Sequence, residues 1–243
     1  MLIGILGDIH GNIDALEAML RQLDSLHVSQ LLCTGDIVGY GAAPAACIDR
    51  LRERQIACVM GNHDCYTAFP ERLTSGVREE AVEVFGWNRS VLSQEHLDWL
   101  GALPRVLQFE TFEVRHDSCA PFPPWDYVLN ARTAMQHFLY QTRPLCFNGH
   151  SHVPLLAAHA PGAPIRLQRL QNMMLPRRMD VMVGVGAVGQ PRDGDPRACA
   201  IVYNTADGLV RIQRVNYDIG RAQKRILDAG LPHSLACRLA AGR

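Results

Sequence analysis

Gly7-Asp-Ile-His-Gly-Asn12 follows directly on the apolar run Met1-Leu-Ile-Gly-Ile-Leu6. A buried strand that ends on an acidic residue and a histidine, bracketed by glycines, marks a loop at a strand's carboxyl end. Ile13, Leu16, Met19, Leu20 and Leu23 then recur at helical spacing. The pattern predicts a helix from 13 to about 26, with Asn12 as N-cap and Asp14 and Glu17 in the favourable first turn. The same order repeats twice. Residues 31–34 read as a strand followed by Gly35-Asp-Ile-Val-Gly-Tyr-Gly41, and Pro44 opens a helix to about Arg54. Residues 56–60 read as a third strand, followed by Gly61-Asn-His-Asp64. Strand and helix alternate, which specifies a parallel sheet. The carboxyl ends of such strands gather at one edge, where ligands bind.

Outward from this start, residues 77–101 carry helical patterning that Pro104 ends. Strand-like segments follow at 105–109, 112–115, 145–147, 155–159, 165–170, 180–185, 198–203 and 209–215, and helical patterning returns at 219–229. No repeat, low-complexity tract or linker divides the chain. The expectation is one α/β domain over 1–243, a four-layer α-β-β-α sandwich of two mixed sheets flanked by helices. Residues 216–243 would form a C-terminal helical extension.

Hydrophobic residues at 48% and charged residues at 20% describe an ordinary globular chain of 243 residues. Its 24 basic and 24 acidic residues cancel, which argues against long nucleic acid or an anionic membrane surface as the main partner. No apolar run approaches the ~20 residues of a membrane span, and Met1 leads straight into a strand without a basic leader. The eight cysteines are scattered with no C-x-x-C pair. Buried, reduced thiols and a cytoplasmic location are therefore expected. Oligomeric state is not encoded in any of these features.

The loops after the first three strands deliver Asp8, His10, Asp36 and Asn62. A second cluster comes from His116 and from Gly149-His-Ser-His-Val-Pro154. Residues spaced i and i+2 in extended chain face one side, so Asp8 with His10, and His150 with His152, should converge. Taken singly, each is ordinary: a turn aspartate, a capping neighbourhood, a lone histidine. Together, carboxylate, amide and imidazole donors suit manganese, iron, cobalt, nickel or zinc and disfavour a thiolate site. Seven ligands exceed one ion's needs and fit two ions sharing a carboxylate. Two divalent cations beside two aspartates leave net positive charge for a phosphate ester and its transition state. Ions roughly 3.5–4 Å apart can also trap a hydroxide for in-line attack. Gly184-x-Gly186-x-x-Gly189 matches a dinucleotide fingerprint in letters only. Gln190-Pro-Arg-Asp-Gly-Asp-Pro196 denies the helix that fingerprint requires, so a close backbone turn beside the site is expected. His27, His96, His137, His159 and His233 have no partner at ligand spacing and read as surface or core.

GDIHGN, GDIVGYG, GNHD, the lone His116 and GHSHVP, in that order, resemble the five signatures of the calcineurin-like metallophosphoesterases. The resemblance runs from residue 3 to about 203. It is closest to the compact prokaryotic branch of phosphodiesterases and diadenosine-tetraphosphate hydrolase-like enzymes, which residues 85–104 and 188–198 also resemble. It implies that Asp8, His10, Asp36 and His152 hold one ion, with Asp36 bridging. Asn62, His116 and His150 would join Asp36 around the other, and His63 would contact phosphate or protonate the leaving oxygen. The implied cofactors are two divalent transition-metal ions, manganese before iron, zinc, nickel or cobalt. The implied substrate is a small phosphomono- or phosphodiester, a nucleotide among the candidates, with a dinucleoside polyphosphate as the alternative. A metal-free interaction module on the same fold is the alternative of another class. Two departures stand out. Asp117 replaces the usual glycine after His116, where it would keep a left-handed turn or orient a ligand. Gly184, Val185 and Ala187 lack the side chains the family often has there. Phe122, Trp125 and Tyr127 could wall a base, and Arg192 could contact phosphate.

Overall fold

The computed structural model describes residues 1–74, 76–122 and 124–243. One six-stranded sheet runs β3 (Ala57–Cys58), β2 (Gln30–Cys33), β1 (Leu2–Leu6), β11 (Ala198–Asn204), β12 (Leu209–Val215) and β9 (Met173–Met174). The other runs β4 (Val106–Gln108), β5 (Phe112–Arg115), β6 (Leu145–Asn148), β10 (Asp180–Val185), β7 (Pro154–His159) and β8 (Arg166–Arg169). β1, β2 and β3 pair parallel as the alternating pattern requires, and β11 joins β1 antiparallel. In the second sheet β5, β6 and β10 are parallel. Both sheets are therefore mixed, and each contributes strand carboxyl ends to one rim.

Ile3, Ile5, Leu32 and Ile201 of the first sheet meet Val114, Phe147, Val181 and Val183 of the second in a dry interlayer. Central strands covered on both faces read as continuous apolar runs, which is why Leu2 to Leu6 shows no alternation. The outer face of the first sheet is covered by α1 (Ile13–Ser25) and α2 (Pro44–Glu53), through Leu16, Met19, Leu20, Leu23, Ile48 and Leu51. Asn12 caps α1 by accepting the Ala15 N–H at 3.1 Å.

Several elements differ from the sequence expectation. Residues 77–101 form two helices, α4 (Glu79–Val91) and α5 (Gln94–Gly101), because Ser93 starts a new one as N-cap to His96. GNHD is not a loop: Asn62 opens α3 (Asn62–Ala68). The third strand shrinks to two residues, since the Met60 N–H turns to the Pro104 carbonyl. α6 (Ala131–Tyr140), capped by Asn130, covers the second sheet with Ala134 and Phe138. The carboxyl end forms α7 (Ile219–Asp228) and α8 (His233–Ala241), tied to α1 where Arg221 and Arg225 pair with buried Asp14 at 2.6 and 3.0 Å. All eight cysteines are free thiols; seven are buried, and Cys237, expected buried, is exposed. No described helix is long and apolar enough to cross a membrane.

Candidate metal centre

The loops that leave β1, β2 and β6 turn through left-handed backbone at the functional side chains themselves. Asp8, His10 and Asp36 have φ of 51°, 49° and 52°, and His150 and His152 have 64° and 58°. Convergence thus comes from kinks at each residue, not from the extended alternation expected from i, i+2 spacing. Such residues cost roughly 1–3 kcal/mol each and persist only where the surroundings hold them. Here the first two loops are laced together by Asp8 N–H to Gly35 O, His10 N–H to Asp36 O and Gly11 N–H to Ile37 O, at 2.9–3.0 Å. The 184–189 segment closes on them through Val188 N–H to Gly7 O and Gly189 N–H to Asp8 O, both 2.9 Å. A Cβ on Gly189 would lie 1.7 Å from Ile9 O. This is the close turn expected beside the site, and no helix follows it.

All seven expected ligand side chains meet at this rim. Donor atoms of Asp8, His10, Asp36 and His152 lie within 4.8 Å of one another, as do those of Asp36, His116 and His150. Asp36 belongs to both groups, its Oδ2 standing 3.7 Å from His10 Nε2 and 3.3 Å from His116 Nε2. Asn62 Oδ1 joins the second group, 3.1 Å from His116 Nε2. Asp8 Oδ1 lies 3.2 Å from His152 Nε2 and accepts the His150 N–H at 3.0 Å.

The outward ring nitrogens decide which lone pairs face inward. Nδ1 of His10, His116 and His152 donates to the carbonyls of Val38, Thr34 and Gln190 at 3.2, 2.8 and 2.6 Å. Their Nε2 atoms therefore point to the centre. His150 is reversed: its Nε2 donates to Trp125 O at 2.9 Å, so Nδ1 points inward. Burial holds His10, His150 and His152 below the ordinary histidine range. The neutral Nε2 atoms of His10 and His152 thus stand lone pair to lone pair at 3.1 Å, an arrangement that a shared cation reconciles. His116 behaves differently. Burial pulls it down, but the Asp36 carboxylate outweighs this and lifts it to about 10. Asp36, resisting its own burial through His116 and His63, stays well below the usual carboxylate range. A proton between them marks another position where positive charge is favoured. The donor chemistry fits two divalent ions.

His63 lies beside both groups and in neither. Its N–H donates to Asp36 Oδ1 at 2.8 Å, its Nδ1 has no hydrogen-bond partner among the described residues, and burial lowers its pKa to about 4. Asp64 completes the Gly61-Asn-His-Asp64 run, and nothing in the sequence alone marks its role. It accepts the N–H groups of Ile37, Val38 and Gly61 at 2.9, 3.2 and 3.0 Å, fastening the Asp36 loop to the start of α3. Burial and the Asp36 carboxylate raise it to about 7 despite those donors.

Asp117 corrects an expectation. Of the two roles expected for it, the left-handed turn is overturned, since Asp117 is absent from the left-handed residues; its hydrogen bonds go to Arg105 and Trp125 and to no candidate ligand directly. It pairs with Arg105 at 3.1 Å and accepts the Trp125 N–H at 2.8 Å. Arg105 sits 3.6 Å above the Trp125 ring, and Tyr127 stacks on His150 at 3.9 Å and 12°. Neither Arg105 nor the Trp125 carbonyl carries a signal in the sequence. Trp125, Tyr127, Tyr40, Asn62, His63 and Arg192 line a cleft of about 370 Å³ at the centre. Phe122 is 80% exposed and not part of that lining.

Cys119, His137 and Cys146 also bring donor atoms within 4.8 Å, on the second sheet's outer face. His137 Nδ1 accepts the Cys119 N–H at 3.1 Å. Its Nε2 donates to Gln141 Oε1 at 2.9 Å, since the Gln141 amide nitrogen is itself donating to Arg143 O. No imidazole lone pair is left for the thiols, and this cluster is core.

Residues 1–207 match the profile of the calcineurin-like phosphoesterase superfamily domain. An uncharacterized protein of Methanocaldococcus jannaschii is 30% identical over 246 residues, spanning all of this chain and 98% of its own. The crystal structure of a metallophosphoesterase from Sphaerobacter thermophilus superposes with a TM-score of 0.86 at 37% identity, covering both chains fully. A hypothetical protein from Pyrococcus horikoshii shares the fold at a TM-score of 0.78 and 17% identity, over all of this chain and 98% of the other. The chain belongs to the calcineurin-like phosphoesterase superfamily and is a hydrolase acting on phosphoester bonds.

Proposed function

We propose, from that membership, that the centre holds two divalent metal ions and hydrolyses a small phosphomono- or phosphodiester. One observation carries the reading: two groups of inward donors share Asp36, and His10 and His152 face each other lone pair to lone pair. Asp8, His10 and His152 would hold one ion with Asp36, and Asn62, His116 and His150 the other. Bound there, the ions, manganese first, supply Lewis acidity and an activated water. Asn62 ligates without charge, so the centre keeps more of its attraction for phosphate than a third carboxylate would allow. His63, which lines the cleft with Nδ1 unpartnered among the described residues, would contact a phosphate oxygen or protonate the leaving oxygen. Arg192, held by Gln190 Oε1 at 3.0 Å, adds a guanidinium on the same wall.

Purified protein supplied with Mn²⁺ should hydrolyse an aryl phosphate mono- or diester, and chelation should stop it. Activity that persists in metal-stripped Asp36→Asn refutes the mechanism. No transition metal after purification without chelators would favour an interaction module instead. A panel of monoesters, linear and cyclic diesters and dinucleoside polyphosphates then assigns the substrate.

A further inference from the structure

We propose that Asp117 is a positioning residue that acts through the Trp125 peptide to fix His150 with its proton on Nε2 and its Nδ1 turned to the second donor group. The inference gains its functional meaning from the two-ion reading above, but the geometry stands by itself. Three of the four histidines at the centre are oriented by carbonyls of the loops that build the rim, those of Val38, Thr34 and Gln190. His150 alone relies on a carbonyl in the segment between β5 and α6, that of Trp125.

That carbonyl needs restraint. Trp125 has φ of 62°, a conformation costly for a bulky residue. Asp117 supplies the restraint in two ways. Its Oδ2 accepts the Trp125 N–H at 2.8 Å, and its carboxylate holds the Arg105 guanidinium at 3.1 Å, which in turn covers the Trp125 ring at 3.6 Å. Asp117 is 5% exposed, so its bond to the Trp125 N–H is little screened by water, whereas the Arg105 side of the ion pair is 46% exposed. Trp125 is clamped on either side of its Cα, at the N–H of the preceding peptide and at the indole, which limits the directions its own carbonyl can take and keeps it on His150 Nε2. Tyr127, two residues on, stacks on the imidazole face. Because Asp117 follows His116 directly, one residue links two histidines of the same group. A glycine here would supply neither the acceptor nor the ion pair. Without the clamp the His150 proton is free to occupy either nitrogen, and the ring presents a usable lone pair only part of the time. Removing such an outer partner typically costs roughly 10–100-fold in metal affinity.

The test uses the full chain and Asp117→Ala. Calorimetric titration with Mn²⁺ should show the second ion bound 10–100-fold more weakly and the first unchanged. Electron paramagnetic resonance should accordingly show isolated Mn²⁺ at loadings where the wild type shows coupled pairs. Independently of any metal, ¹⁵N NMR of the metal-free protein should find His150 protonated at Nε2 in the wild type and on both nitrogens in the variant, with His10 and His152 unmoved. If Asp117→Ala fails to fold, Arg105→Met should shift the same signals less. Asp117→Asn, which keeps an acceptor for Trp125, should restore most of the tautomer preference. An unchanged His150 tautomer, or equal weakening of both ions, overturns the proposal. A wild type that binds no metal but shows the tautomer shift would sink the two-ion reading and leave the clamp standing.

Discussion

The two halves of the centre are held in place by different means. Around Asp8, His10 and His152, orientation comes from main chain: the carbonyls of Val38 and Gln190, and a peptide lacing at 2.9–3.0 Å between the first two loops. Around His150, it comes from a relay of side chains, Arg105 to Asp117 to Trp125. A backbone support depends on the fold and is reached by few single substitutions. A side-chain support rests on Arg105 and Asp117, brought together by the β4–β5 pair, and can be altered residue by residue, so the second half is the tunable one.

Among the described residues Asp36 is the only side chain common to both donor groups, so it bears the largest expected effect. On the two-ion proposal, Asp36→Asn should lower metal content from two ions to below one and turnover by at least on the order of 10³-fold, measured by elemental analysis and phosphodiester hydrolysis. Two tightly held ions in that variant would show that the halves do not share it. The next test separates them. His152→Ala and His150→Ala should each retain about one ion per chain, lost from opposite halves, with turnover reduced roughly 10²–10³-fold. A double loss from either variant would erase the distinction.

The legible part of this molecule was the part built from short-range rules. Each early loop follows a buried strand, so Asp8, His10, Asp36 and Asn62 could be placed at one sheet edge from order alone. The left-handed kinks at Asp8 and His10 could not, because both letters fit extended chain equally well and only the lacing to Gly35 and Asp36 decides. α6 escaped because its apolar pattern is blurred: Ala134 and Phe138 are buried, whereas Leu139 and Tyr140 are 72% and 51% exposed. Arg105 and Asp117 meet only through the antiparallel β4–β5 pairing, which sets Val106 opposite Arg115, and no local signal records that register.

Main-chain support is still exposed to a change that separates backbones. Gly189→Ala would place a methyl 1.7 Å from Ile9 O, between the two peptides that hold the first half. The two nearest atoms, Ile9 O and C at 1.7 and 2.5 Å, are main chain and cannot swing aside as a flexible side chain would. The expected cost is about 3 kcal/mol, a fall in Tm of roughly 6–12 °C, and weaker binding of the first ion before the second. A melting curve with titration of both ions checks it; selective loss of the second ion would invert the assignment of supports.

The smallest effect lies at the outer end of the same loop. Gln190, whose carbonyl orients His152, leads into the 193–195 bend, where Gly194 N–H bonds Gly242 O at 3.1 Å. Asp195 steadies that bend, and hydrogen bonds from the Arg197 side chain at 2.6–3.2 Å lower its pKa to about 2, outweighing the opposing effect of burial. A carboxylate with a depressed folded value stabilises fully above its unfolded pKa of roughly 3.9 and loses that contribution as pH falls toward about 2. Wild type should therefore melt slightly above Asp195→Asn at pH 5 to 7, with the gap narrowing between pH 4 and 2 and shrinking in high salt. His150, supported from the other side, should keep its tautomer in the variant at neutral pH. A gap that widens on acidification would mean that Asp195 is stabilised in its protonated form, and that the bend is held by its backbone bond to Gly242 instead.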